Sequence, residues 1–90
     1  MKVQNMTSAN GNKIANQFII FDSESTVFQS YDSVIVKTGF ENGMRYTILD
    51  ENKWDYSVTT GKYRNQFLGE TKKETQAKID NGTYTLADLN

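Results

Sequence analysis

The sequence predicts an α+β fold: an antiparallel sheet of four to five strands followed by two short helices packed on one face. Three features lead to it. Short apolar runs rich in β-branched residues recur through the first half, separated by polar turn residues. The two-residue alternation ends after Leu49. Two sets of helix start and stop signals then follow between Ser57 and Gly82.

Taken in order, Met1–Met6 reads as a short strand with Val3 in the core, and Ser8–Asn12 is a loop by composition. Gln17–Phe21 is apolar on both faces, the pattern of a central strand covered on one side by helices. Asp22–Ser25 has the length of a hairpin turn, and Thr26–Tyr31 returns antiparallel. Asp32-Ser33 interrupts the pattern as a turn or a bulge does. Ser33–Thr38 is the third strand, Gly39–Gly43 a five-residue hairpin loop, and Met44–Leu49 the fourth strand. In that fourth strand Met44, Tyr46 and Ile48 share one face, with Arg45 and Thr47 on the other.

Asp50–Asn52 turns the chain and delivers Trp54. Thr59 or Thr60 is suited to cap a helix on which Tyr63 and Phe67 share a face, and Gly69 stands where a C-terminal glycine belongs. Thr71-Lys72-Lys73-Glu74 fits a capping box, in which Thr and Glu side chains each satisfy an orphan backbone donor. That second helix runs to about Asp80 and stops at Asn81-Gly82. Its apolar face is thin, mainly Ala77 and Ile79, so it is expected on the rim. Thr83–Leu86 reads as a last strand with Tyr84 and Leu86 on one face.

Composition excludes more than it identifies. Ninety residues make one domain, residues 1–90, and 37% hydrophobic with 23% charged residues is a soluble globular balance. The longest apolar run, Phe18–Phe21, falls far short of the roughly 20 residues that span a bilayer, so no membrane association is expected. Met1–Asn5 carries no apolar signal region, which predicts a chain retained in the cell that makes it. Without cysteine there is no disulfide, thiol nucleophile or zinc–thiolate site, and without histidine the usual general base is missing. Catalysis would have to rest on a carboxylate, Lys or Tyr with a tuned pKa. The clustered carboxylates Asp50, Glu51 and Asp55 lack the spacing and glycine of a calcium loop and read as solvated. We expect no enzyme, catalytic residue, metal or cofactor.

Charge and aromatics converge on one stretch, Trp54–Gly69, which holds the only tryptophan and two of the five tyrosines. Residues 53–78 carry six Lys/Arg against three Asp/Glu, while the chain as a whole is at −1. Ser57, Thr59 and Thr60 followed by Gly61-Lys62 place hydroxyls and a cation at a helix start, whose free N–H groups attract anions such as phosphate. The pattern is not a P-loop, because the first glycine is missing and Tyr63 replaces Ser/Thr. The plainer reading is a cap alone. Trp54, Tyr56, Tyr63 and Phe67 interleaved with Lys53, Lys62 and Arg64 are suited to a protein contact or, less so, to stacking the bases of a single strand. The plainer reading is that these rings fill the core beneath a helix. Ser30 and Tyr31 form a second polar–aromatic patch that could face the first helix and complete a pocket, or simply turn the chain.

Phe28–Val36, Trp54–Tyr63 and Phe67-Leu68 together resemble an uncharacterised family of small proteins of bacteriophages and related mobile elements. The resemblance spans about residues 5 to 89, and Tyr56-Ser57-Val58-Thr59-Thr60 is its most specific part. It implies a phage setting in the cytoplasm of a bacterial host and assigns no catalytic residue. The expected function is a non-enzymatic binding protein whose 54–68 surface inhibits or redirects a host or defence component. A phosphate- or nucleotide-binding sponge and a weak single-stranded nucleic acid binder are the alternatives.

Overall fold

Strand pairing follows the order of the chain. The structure, a computed structural model, describes residues 1–90. Strands β1 (Lys2–Thr7), β2 (Lys13–Phe21), β3 (Ser25–Ser30), β4 (Ser33–Glu41), β5 (Met44–Asp50) and β6 (Thr85–Ala87) form one six-stranded sheet. Helices α1 (Val58–Leu68) and α2 (Lys72–Asp80) lie between β5 and β6 in sequence. The first five strands pair antiparallel, and β6 returns beside β5 in parallel. A parallel pair needs a long crossover, which the two helices supply. The class is α+β as expected, with six strands in place of four to five.

The hairpins are tighter than composition implies. Glu41 pairs with Met44 around a two-residue Asn42-Gly43 turn, both residues at positive φ (54° and 79°). That is the type I′ geometry an Asn-Gly pair favours, because its twist matches the flanking strands. The expected five-residue loop is therefore corrected: Gly39 lies within the ladder. The ring of its cross-strand neighbour Tyr46 covers it so closely that a Cβ there would stand 2.6 Å from the Tyr46 hydroxyl. Ser30 likewise pairs with Ser33, which makes Tyr31-Asp32 the turn and puts Tyr31 at φ 56°. A bulge follows, for Phe28 opposes Val36 while Gln29 opposes Val34, and Ile35 is the extra residue. The bulge lets the consecutive Ile35 and Val36 both be fully buried.

Met6, Phe28, Ile35, Val36 and Leu49 form the core, and residues of both helices pack on it, among them Tyr63, Phe67 and Ile79. Phe67 stacks on Phe28 with ring centroids 5.7 Å apart. Two core expectations are corrected. Val3 is 57% exposed, and an irregularity in the β1–β2 register between Asn5 and Thr7 turns Met6 inward instead. On α2 the buried residue is Thr75 rather than Ala77, and its hydroxyl donates to Glu70 at 2.5 Å. Asp50, expected in solvent, is buried at the end of β5, where its carboxylate accepts the backbone N–H groups of Asn52 and Leu89. That side chain pins the segment after β6 to the turn that leads into α1. Because Val36 and Thr38 point to the helix side, Lys37 lies on the opposite face, with Val27 and Ile48 beside it.

Candidate functional site

Helix α1 begins earlier than Thr59 or Thr60. Its N-cap is Ser57, in extended backbone (φ −152°, ψ 157°), whose Oγ accepts the Thr60 N–H at 3.1 Å. A residue in β conformation with a short hydroxyl side chain is what this position requires, and all three hydroxyl residues meet the chemical demand. Position in the fold decides between them. With Ser57 as cap, Thr60 falls on the inward face, where its hydroxyl lies 3.0 Å from Ser30 Oγ and both residues are fully buried. The helix closes on Gly69 in the left-handed conformation, φ 71°, as expected.

One turn further along α1, Arg64 is buried to 1% exposure. One terminal nitrogen donates to the Trp54 carbonyl at 2.5 Å and to Asp55 Oδ1 at 3.4 Å, and the other donates to Asn65 Oδ1 at 3.0 Å. The guanidinium lies 5.1 Å from the Trp54 ring centre, a cation–π arrangement that stiffens both groups. Its Nε–H has no partner. Gly61 flanks the same guanidinium: a Cβ there would meet its nitrogens at 3.6–3.7 Å.

These groups line an open cleft of about 640 Å³, together with Tyr56, Val58, Lys62 and Lys72. Lys72, from the start of α2, bridges to Asp55 Oδ2 at 2.7 Å. Two cations, Arg64 and Lys72, thus hold one carboxylate, and Lys62 lines the same cleft. Burial alone would raise the Asp55 pKa, but Lys72 and Arg64 outweigh it and hold the group below its ordinary value, so it stays ionised at neutral pH. The first turn of α1 contains no acidic residue, and the N–H groups of Val58 and Thr59 make no hydrogen bond within the chain. Tyr56 is 44% and Val58 92% exposed at the margin, and the Lys53 ammonium sits 5.0 Å over the Tyr56 ring.

The structure brings part of the sequence-derived set together. Tyr56, Ser57, Lys62 and Arg64 line the cleft. Thr59 is exposed on the first turn, while Trp54 and Tyr63 are half-buried against the core. Thr60 and Ser30 form the hydroxyl pair beneath α1, and Tyr31 projects from the β3–β4 turn outside the cleft. Asp55, expected in solvent, is instead paired with Arg64 and Lys72 in the cleft, and Gly61, read only as part of the helix start, lines it too; Asn65 and Lys72 were not singled out in the sequence. Lys72 was hidden because its local signal is that of a capping box, and only folding carries it to Asp55. A larger depression of about 720 Å³ lies between the β2–β3 and β4–β5 turns, lined by Asp22, Glu24, Glu41 and Arg45 among others. It contains no buried unpartnered group and one apolar residue, so the α1 cleft has the stronger chemistry.

The fold and cleft define a small α+β protein with a cation-lined recess at a helix start. The chain belongs to a family of unknown function, DUF8033, whose family model matches residues 1–82. Comparison with curated proteins and with solved structures returned no match. No helix is long and apolar enough to cross a membrane.

Proposed function

We propose that this chain is a non-enzymatic binding protein of a bacteriophage or related mobile element. It acts in the bacterial cytoplasm by inhibiting or redirecting a host or defence protein through its 54–68 surface. The observation that carries this reading is the exposed pair Tyr56 and Val58 beside Lys62, held at the rim of the cleft. Exposed aromatic anchors are enriched at contact surfaces, where a ring buries large area at small entropic cost. The phage setting rests on the family resemblance. Retention of a stoichiometric partner by the tagged chain tests the reading, with Tyr56→Ala and Lys62→Glu as folded variants that should lose it. Equal retention by both variants overturns the assignment of this surface.

A small-ligand sponge is the second reading, favoured by the three cations Lys62, Arg64 and Lys72 that line the cleft. Single-stranded nucleic acid is less favoured. Of the four rings that would stack bases, Trp54, Tyr63 and Phe67 pack against the core and only Tyr56 is exposed, and the chain carries net charge −1.

A further inference from the structure

Both helices pack on one side of the sheet, and the opposite side is apolar as well. Cross-strand pairing sets Val3, Ile20, Val27, Lys37 and Ile48 side by side in one row on that open face, with Phe18 in the next row. An antiparallel sheet with one face in water normally alternates apolar and polar residues, so the doubly apolar run Phe18–Phe21 calls for cover on its second side. The part of the face formed by β4 and β5 shows what fits there. Its outward residues come in three cross-strand pairs: Lys37 with Ile48, Gly39 with Tyr46, and Glu41 with Met44. Tyr46 lies over Gly39, and Met44 is 74% exposed. Lys37 and Glu41 stand about 13 Å apart along one strand. Neither makes an ion pair within the chain. Glu24 lines the same shallow depression of about 480 Å³.

We infer that the open face is a contact between two copies of this chain, related by a two-fold axis lying across the strands at the Gly39–Tyr46 pair. Such an axis lays β4 on β4 of the second copy in the opposite direction. It exchanges the outer pairs, so that Lys37 meets Glu41 of the second copy, Ile48 meets its Met44, and the two Tyr46 rings meet at the axis. Both charges then face their opposites, and the exposed Met44 is covered by an aliphatic side chain. Stacked sheets lie about 10 Å apart, a gap that Lys and Glu side chains reaching from the two sides span. An unrelated partner accounts for an apolar face, but not for opposite charges placed symmetrically about one cross-strand pair. The contact is about five residues long and four to six strands wide, roughly 300–500 Å² per copy. That is less than the ~800 Å² per partner of a standard interface, so the dimer is weak and depends on concentration. The face lies apart from the 54–68 surface, which makes dimerisation and partner binding separate properties.

The test is sedimentation equilibrium of the full chain from micromolar to near-millimolar concentration, with circular-dichroism melts to show that each variant is folded. The average mass should rise from that of one chain toward that of two and stop there. Lys37→Glu and Glu41→Lys should each weaken association by about tenfold or more, since each sets like charges together. The double variant Lys37→Glu/Glu41→Lys should associate within about threefold of the original chain, because reversing both charges restores every pair across the axis. Within one chain the two residues are too far apart to pair, so this rescue reports contact between copies. The mass of a single chain at all concentrations overturns the proposal. So do single variants that associate unchanged, or a double variant no better than the singles. Mass that keeps growing beyond two copies also overturns it, because a closed two-fold contact cannot extend. A chain that stays monomeric while Lys37→Glu loses a retained protein assigns the face to that protein instead.

Discussion

Gln17 stands inside β2 at 1% exposure, and neither its amide oxygen nor its amide nitrogen has a hydrogen-bond partner in the chain. Replacing it by Met keeps the volume and removes the desolvation cost of two polar atoms, so Gln17→Met should stabilise the fold by roughly 1–2 kcal/mol. Urea unfolding measures this as a higher midpoint at unchanged slope; a lower midpoint would show that the amide is satisfied. Gln17 was legible in the sequence only as the first residue of an apolar strand, because its inward direction depends on pairing with the buried Ser30. Arg64 is a parallel case. Six Lys/Arg across residues 53–78 read as a basic segment, but which of them goes inside is set by the Trp54 carbonyl and the Asn65 side chain meeting one guanidinium.

Helix α1 is fastened to the sheet by the aromatic stack of Phe67 on Phe28 and by the Thr60–Ser30 hydroxyl pair. Thr60→Val keeps the shape and leaves the buried Ser30 hydroxyl unpaired, which should cost about 1–2 kcal/mol in unfolding experiments. The double variant with Ser30→Ala should recover part of the loss, and strictly additive costs would show that the two hydroxyls do not interact. The strands of the meander were legible because alternation, β-branching and turn residues agree over each of them. Three features were not. The cap was misplaced by two or three residues because Ser57, Thr59 and Thr60 are chemically equivalent caps, and only the Thr60 partner on β3 separates them. The bulge at Ile35 is invisible in a uniformly β-branched run. Strand β6 is short enough that its parallel place beside β5 follows from the crossover and not from its own sequence.

Three lowered carboxylates set the acid limit of the whole molecule. Burial alone would raise Asp50 and Glu70 as well as Asp55. In Asp50 the N–H groups of Leu89 and Asn52 outweigh it, and in Glu70 the Lys78, Thr75 and Tyr84 side chains do so. Each binds its proton less readily folded than unfolded. Their contribution is therefore full above the ordinary values of 3.8 and 4.5 and is lost as pH falls through the lower folded values. At the other end Tyr84 is raised by burial and by Glu70, and Lys78 is raised by its hydrogen bond to Glu70. Stability linked to them is complete below about 10 and declines as pH rises through their folded values. With no histidine between these limits, melting temperature should be flat from about pH 5 to 9 and fall on both sides. A transition near neutrality would contradict this assignment of the titrating groups.

The same folding that buries Arg64 and half-buries Trp54 leaves Tyr56, Val58 and Lys62 outward at the helix start, so recognition is expected on that side of the molecule. The most direct measurement compares partner retention by Lys62→Glu with that by Lys37→Glu, the same charge reversal on the sheet face away from the helices. Loss in Lys62→Glu with full retention in Lys37→Glu is the expected result. Loss in Lys37→Glu with full retention in Lys62→Glu would move the binding surface to the open face of the sheet.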